Sequence, residues 1–387
     1  MLAVVGLLVA GWQAIERKNG RLSKDFFVIT IIATIFSFIS FYSVTYNNTE
    51  DYAYATYFIS MWVWFFAAYA ACYTIAQTNG TVSVKIITDY LTGVAVFQCV
   101  IALMINFIPA VKGFVDTYVE TEIELMDRIN RLYGIGAALD VAGGKFSAIL
   151  LMIAVTISNN DSLKQNRKVL AIYSACFVII GVIGSMIART TTIGMILAIV
   201  YIIYRTGIWK RQIKYSNIKF WRVLLVVMFV LVLVCIYFYN TSPGFRQFFR
   251  FGFEGFVSLV ETGKWQTGST EVLQSMVVYP ESLKTWVIGD GLMWDSGGYY
   301  MRTDIGYLRF IFYCGIIGLF AFSSMFIYLT STCYKKFPQE KHLFLLLLML
   351  VFLLWAKVST DLFLVYAIFL CLPMIQKHKN NKQMNRL

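Results

Sequence analysis

Charge is scarce in this chain. Only 14% of its 387 residues are Asp, Glu, Lys or Arg, against roughly 25% in an ordinary soluble domain. With 59% hydrophobic residues and a mean hydropathy of +0.67, that scarcity excludes a water-soluble globular enzyme and points to an integral membrane protein. Histidine is scarcer still, with two in the chain, His342 and His378. Both stand beside basic segments, so chemistry on the opposite face has no histidine to use as a base. The seven cysteines, Cys72, Cys99, Cys176, Cys235, Cys314, Cys333 and Cys371, lie within apolar runs or at their edge. Their spacing implies neither a disulfide framework nor a metal centre. No P-loop or other nucleotide motif is found, and no repeat of the solenoid kind is visible. The first fifteen residues carry no basic leader and no small-residue cleavage site, which argues against a cleaved signal peptide.

What the chain has instead is apolar runs, over residues 26–46, 54–76, 86–111, 169–188, 223–239, 305–329 and 343–375. Several reach the roughly 20 residues that a helix needs to cross a bilayer. Residues 146–158 and 191–204 are shorter but flanked by charge, and are expected to span too. Residues 343–375 are long enough for a helical hairpin turning near Lys357 and Asp361, whose i, i+4 spacing would let them neutralise one another. The expectation is all-α, with about eleven crossings: transmembrane helices over 1–239 with an outer loop at 112–145, a large extracytoplasmic loop at 240–304, C-terminal transmembrane helices over 305–376 and a basic cytoplasmic tail at 377–387.

The net charge of +12 would suggest nucleic acid in a soluble chain. Here most of the Lys and Arg collect in alternate loops: Arg17, Lys18, Arg21 and Lys24; Lys85; Lys164, Arg167 and Lys168; Arg205 to Arg222; Lys335, Lys336 and Lys341; and the tail. By the positive-inside rule these loops are cytoplasmic. The intervening loops, where acids outnumber bases, face outward, and counting back from the tail puts the amino terminus outside. The basic charge orients the protein, and no nucleic-acid partner is needed.

Four outward groups carry the candidate chemistry. In Arg131-Leu-Tyr-Gly-Ile-Gly136, followed by Asp140, a Gly-rich connection can aim backbone N–H groups at an anion; the bland alternative is an ordinary loop whose arginine pairs with the acids of 120–127 or with Asp140. In Gly184-Ser-Met-Ile-Ala-Arg189-Thr-Thr-Thr192, two apolar helices meet with no room for a loop. Arg189 is then a cation at the membrane surface, either functional or snorkelling to lipid phosphate. From Pro243 onward, Arg246, Arg250 and Glu254 fall at i, i+4 and i+8 among phenylalanines, the pattern of an amphipathic helix lying on the membrane. Last, Asp290, Asp295, Arg302, Asp304 and Arg309 crowd the approach to the next helix, where Asp304 could be a plain N-terminal cap. Guanidiniums beside carboxylates, with no nucleotide motif, suit a substrate that brings its own anionic leaving group.

At these residues the chain resembles the O-antigen and capsular polysaccharide polymerases (Wzy-type) of the polymerase and O-antigen ligase superfamily, GT-C-like membrane glycosyltransferases. The resemblance covers most of the chain. It rests on Arg131-Leu-Tyr-Gly-Ile-Gly136 leading into a helix, on the Arg189 turn, and on a late external loop closing with Asp304-Ile-Gly-Tyr-Leu-Arg309. It implies transfer of a growing glycan from undecaprenyl pyrophosphate onto the next lipid-linked repeat at the outer face of a bacterial cytoplasmic membrane, without metal or cofactor. A chain-length regulator and a flippase are the implied protein partners. Carried over by position, Arg131, Arg189 and Arg309 would bind pyrophosphate at a shared site and Asp304 would lie where the acceptor is activated. Tyr133, Asp140, Arg246, Arg250, Asp290, Asp295 and Arg302 would line the substrate. Ligases carry a loop histidine that this chain lacks, which favours the polymerase branch; a ligase-type transferase and a polysaccharide flippase or exporter are the alternatives.

Overall fold

In hydrocarbon, every backbone N–H and C=O must be satisfied within the segment, so apolar runs of this length have only the helix available. The computed structural model describes residues 1–16, 23–118, 131–207, 215–296 and 298–384, apart from the side chains of 216, 269–271 and 377–384. The basic positions Arg17, Lys18, Arg21, Lys210, Arg211 and Lys214, the acidic stretch 120–127 and the side chains of the tail fall outside the described residues. In chain order the helices are α1 Leu2–Glu16, α2 Lys24–Tyr46, α3 Tyr57–Asn79, α4 Val84–Phe107, α5 Pro109–Tyr118, α6 Leu139–Asn159, α7 Asp161–Gln165, α8 Arg167–Ile187 and α9 Thr190–Thr206. They continue with α10 Tyr215–Thr241, α11 Pro243–Gly252, α12 Glu254–Thr262, α13 Gly268–Ser275, α14 Leu283–Val287, α15 Gly306–Lys336, α16 Lys341–Trp355 and α17 Phe363–Met384. A two-stranded antiparallel hairpin, β1 Trp294–Asp295 and β2 Gly298–Tyr299, lies between α14 and α15.

Among the described residues, seven helices are long and apolar enough to cross a membrane: α2, α3, α4, α6, α8, α10 and α15. The chain is therefore built as a multi-pass, all-α membrane protein. Four shorter apolar helices, α1, α9, α16 and the apolar start of α17, fall below that length; the expected eleven crossings would require all four to span. The run at 86–111 is interrupted, because Pro109 has no N–H to continue α4 and instead opens α5. The run at 343–375 is two helices separated by residues 356–362.

Two compact units divide the chain, one of Met1–Ile87 and Val272–Leu387, the other of Thr88–Glu271. In the first unit, α1 and α17 pack on α3, while α15 packs on α2 and α16. Its core is aromatic: Trp355 stacks on Phe322 at 5.4 Å, and Phe36 lies 4.7 Å from the same ring. α15 is bent at Gly315, whose φ of 67° and ψ of −177° no side-chain-bearing residue adopts readily. A Cβ there would sit 2.0 Å from the Val287 carbonyl oxygen. The bend frees two carbonyls of the first turns, and the preceding loop takes them: Asp290 N–H donates to Phe312 O at 2.6 Å and Gly291 N–H to Tyr313 O at 3.1 Å. Ser43 Oγ donates to Tyr313 O as well, at 2.7 Å.

The second unit is organised around α6, which has 83% of its apolar window buried between α8 and α9. Small residues such as Ala142, Gly143, Ser147 and Ala148 let neighbours come close, and Ser147 Oγ donates to Thr190 O at 3.0 Å. α10, by contrast, packs on α8 with none of its window buried. The stretch 240–304, expected as one loop, is shared out: α11 and α12 belong to the second unit, and α14, the hairpin and the approach to α15 to the first. The expected single amphipathic helix from Pro243 is also two. α11 closes at Gly252, pressed against α8 so that a Cβ would meet the Ser185 carbonyl group at 3.0 Å, and Glu254 starts a new helix.

Candidate functional site

The Arg189 turn is built by α8 and α9. Their junction is only Ala188 and Arg189, and the threonines after it are absorbed by the fold: Thr191 Oγ1 donates to Gly184 O at 3.0 Å and Thr192 Oγ1 to Ser185 Oγ at 3.0 Å. The Thr191 and Thr192 hydroxyls therefore join the two helices, while Thr190 Oγ1 is buried without a hydrogen-bond partner. Arg189 itself keeps its side chain 20% exposed. It is ion-paired and hydrogen-bonded to Glu254 at the start of α12. The helix is interrupted at Phe253, so that Glu254 opens α12 instead of continuing α11.

Phe251 completes the arrangement. The Arg189 guanidinium lies 4.2 Å from the centre of that ring and the Arg131 guanidinium 4.8 Å from it. Their charges are thus within roughly 9 Å of one another, a separation at which repulsion is substantial in a desolvated cleft. Burial, together with Arg131, lowers the pKa of Arg189 from its usual value, against the pull of Glu254 and Asp140. Asp140, in the first turn of α6, is thereby placed in the same electrostatic neighbourhood. A cleft of about 330 Å³ opens beside Arg189, Phe251 and Glu254, and the hydroxyl-bearing Ser258 and Thr262 line it further along α12.

The other residues expected around this group divide. Arg250 lines the cleft but pairs with Glu261 at 2.8 Å. Arg246 is turned back onto α10, its Nε donating to Tyr239 O at 2.9 Å. Tyr133 is a tether: its ring packs with Ile105 and Val115, and its hydroxyl donates to Asp116 at 3.1 Å.

In the first unit a second arginine has comparable surroundings. Arg309, in the first turn of α15, is 8% exposed, and Asp304 Oδ1 lies 3.5 Å from its Nη1. Asp304 is not the cap of α15; Ile305 holds that position without a side-chain bond, which leaves the carboxylate for the arginine. The hairpin forms a roof, with the Tyr299 ring centre 3.7 Å and the Trp294 ring centre 5.8 Å from the guanidinium, and Met293 Sδ 2.9 Å from Nη2. The hairpin is anchored by Asp51, whose Oδ2 accepts from Met293 N at 2.7 Å and Trp294 N at 3.2 Å. The return into α15 passes through Met301 and Arg302 at φ 55° and 52°, a conformation costly for residues with side chains. Arg309 Nε is buried without a hydrogen-bond partner.

Asp290 and Arg302 do not enter this group in the way expected. Asp290 is a structural brace, accepting from Lys284 Nζ at 2.7 Å and Thr285 Oγ1 at 2.8 Å. Asp295 is exposed on β1, and Arg302 is exposed at the strained return. Lys357 and Asp361 are not on one helix, so the expected i, i+4 geometry does not apply. Asp361 accepts from Tyr57 Oη at 2.8 Å and from Phe363 N at 2.6 Å, and burial raises its pKa.

Sequence reasoning missed Phe251, Tyr299, Trp294 and Asp51, and placed Glu254 on one continuous helix with Arg246 and Arg250. Nothing in the local pattern distinguishes Phe251 from the phenylalanines around it. The Trp294 and Tyr299 pairing across Ser-Gly-Gly was open to reading as a tight hairpin. Comparisons with protein-family models, with curated proteins and with solved structures give no match.

Proposed function

We propose that the protein is a lipid-linked glycan polymerase that moves a growing glycan from a polyprenyl pyrophosphate onto the next lipid-linked repeat unit at the outer face of a bacterial cytoplasmic membrane. The observation that carries this reading is the convergence of Arg131 and Arg189 on Phe251, with Glu254 seated against Arg189. Two guanidiniums that share one ring suit a ligand with more than one negative charge, which would have to displace Glu254 from Arg189, and a diphosphate supplies that charge. Ser258 and Thr262 line the cleft with hydroxyls that donate to Lys264 O and Ser258 O, so sugar would meet there only their remaining acceptor capacity. In the reaction, the bond between the anomeric carbon and the diphosphate oxygen breaks and its electron pair stays on the diphosphate, beside the guanidiniums. An acceptor hydroxyl oxygen bonds to the anomeric carbon and loses its proton to a carboxylate, for which Glu254 is the nearest candidate to Arg189.

Resemblance at the motifs of 131–136, 184–192 and 304–309 points the same way, and the absence of histidine from 240–304 favours a polymerase over a ligase. The test is deletion of the gene and gel analysis of the surface glycan, followed by complementation with Arg189→Ala. Loss of long chains while single lipid-linked repeats still reach the outer face supports the reading. Repeats trapped inside would make the protein a flippase, and an unchanged chain-length ladder with Arg189→Ala would reject the site.

A further inference from the structure

At the opposite end of the second unit, where α8 begins and α10 begins, the chain forms a second cleft that the proposed reaction does not use. It encloses about 310 Å³ and is lined by Arg167, Lys219, Arg222 and Tyr215 above a floor that includes Val223 and Val227. Among the described residues, no acid lines it. The cleft stands on a fixed frame. Lys164, only 4% exposed, donates to Ser158 O at 2.9 Å, to Asp161 at 3.1 Å and to Asn217 at 3.2 Å, and Asn217 donates to Thr206 O at 2.8 Å. The ends of α6 and α9, the turn of α7 and the start of α10 are tied together by that one ammonium. Lys219 is drawn in as well, donating to the Gln165 carbonyl.

The electrostatics of this end are one-sided. Arg167 and Lys168 occupy the first turn of α8, where the helix dipole is already positive, and no acid accompanies them in that turn. Asp161, the nearest acid in sequence, is ion-paired to Lys164. The positive-inside rule accounts for basic residues in such a loop, but it does not account for three cations placed around a cavity whose floor is apolar. That floor continues along α10, where Val226 and Phe229 are 58% and 64% exposed and none of the apolar window is buried. Cations at the mouth and valines below are complementary to one molecule with both an anionic group and a hydrocarbon chain.

The geometry points to a binding site for an anionic phospholipid of the cytoplasmic leaflet, with its phosphate among Arg167, Lys219 and Arg222 and an acyl chain against Val223 and Val227. Basic recesses between membrane helices hold acidic lipid headgroups by this combination, and each cation near a charged leaflet adds measurably to the attraction. The site is separate from the glycan chemistry and stands or falls without it.

The test uses the full-length protein in detergent, offered equal amounts of phosphatidylglycerol and phosphatidylcholine with matched chains, with bound lipid read by native mass spectrometry. Retention of phosphatidylglycerol over phosphatidylcholine by about tenfold is expected, falling to near parity in Arg167→Gln/Arg222→Gln. Arg222 lies on an exposed helix face, so Arg222→Gln alone serves as the variant least able to disturb folding, with a partial loss expected. Val227→Trp keeps every charge but fills the floor, and should lower phosphatidylglycerol retention without restoring phosphatidylcholine. No preference in the wild type, or a preference untouched by the charge variants, would overturn the site. Displacement of the lipid by excess inorganic phosphate, with Val227→Trp behaving as wild type, would overturn the lipid reading in favour of a free anion.

Discussion

The Arg189 cluster of one unit and the Arg309 cluster of the other use the same three parts, a guanidinium, an aromatic ring and a carboxylate, yet they are set up for different states. Around Arg189 there are two cations to one ring, the ion pair with Glu254 is partly exposed, and a cleft stands open beside it. Around Arg309 there is one cation, a roof of Tyr299 and Trp294, and a carboxylate at the long distance of 3.5 Å. A stacked guanidinium gains roughly 0.5 to 2 kcal/mol from its ring, and at Arg309 that contact, with Asp304, occupies the faces an incoming anion would use. The first cluster has an open cleft beside it in which Arg189 and Arg250 are balanced by Glu254 and Glu261, whereas the second lies under its hairpin.

The largest expected effect breaks the comparison at its centre. Arg189→Ala and Arg309→Ala should each lower long-chain polymer formation about a hundredfold or more, the usual cost of removing a group that stabilises developing charge, as read on glycan gels at equal expression. The two should part company in binding. Inorganic pyrophosphate, titrated calorimetrically against the purified protein, should lose its heat with Arg189→Ala and keep it with Arg309→Ala. Equal loss in both would show that the roofed arginine is already open to ligand.

Glu254→Gln comes next. If Glu254 both occupies Arg189 at rest and takes the acceptor proton, the amide should bind pyrophosphate about tenfold tighter, since a competing charge is gone, while polymer formation falls at least as far as a lost general base requires, about a hundredfold. Tighter binding with unchanged polymer would leave Glu254 as a placeholder and hand the proton to Asp140 or another acid. Asp304 sits against Arg309 and not against Arg189, so Asp304→Asn should lower polymer formation without tightening pyrophosphate at the Arg189 cluster.

The contrast between the clusters also marks what could be read without a structure. Apolar run length gave the membrane helices, because the bilayer imposes one solution on such runs, and the lone arginine in a two-residue turn was visible at Arg189 for the same reason. Carboxylate partners were less legible. Glu254 looked like the third charge of an amphipathic face because helical spacing was assumed to continue through Phe253, where α11 instead ends after Gly252, close against α8. For Asp304 a plain helix cap was the alternative to a role in the chemistry, and α15 starts without a side-chain cap. Asp290 was expected to line the substrate in a Gly-rich loop, but the bend at Gly315 makes that loop a partner for exposed carbonyls, and Lys284 and Thr285 claim its side chain. Long-range closure decides these cases, and local pattern carries no record of it.

Asp290→Ala therefore belongs to stability. Removing an acceptor of two close bonds, one of them from an ammonium, should cost about 2 to 3 kcal/mol, seen as a lower melting temperature in detergent. Because the brace supports the hairpin approach and has no part in the Arg189 cluster, pyrophosphate affinity of the surviving folded protein should be unchanged. A specific loss of binding at unchanged melting temperature would move Asp290 back into the substrate site.

The smallest effect tests a carboxyl that both clusters leave aside. Burial raises the pKa of Asp361 above its ordinary value, although Tyr57 and the Phe363 N–H pull it down. A carboxyl with a raised folded-state pKa favours the fold most when protonated, below its unfolded value, and loses that contribution as pH climbs through the folded value. Asp361→Asn keeps an oxygen to accept from Tyr57 or Phe363 N–H but cannot ionise. At neutral pH the amide should therefore melt slightly higher than the wild type, and the gap should close as pH falls toward the ordinary carboxylate range. A gap that widens on acidification would mean that the carboxylate is held by a cation strong enough to reverse the sign, and Lys357, four residues away, would be the first to replace.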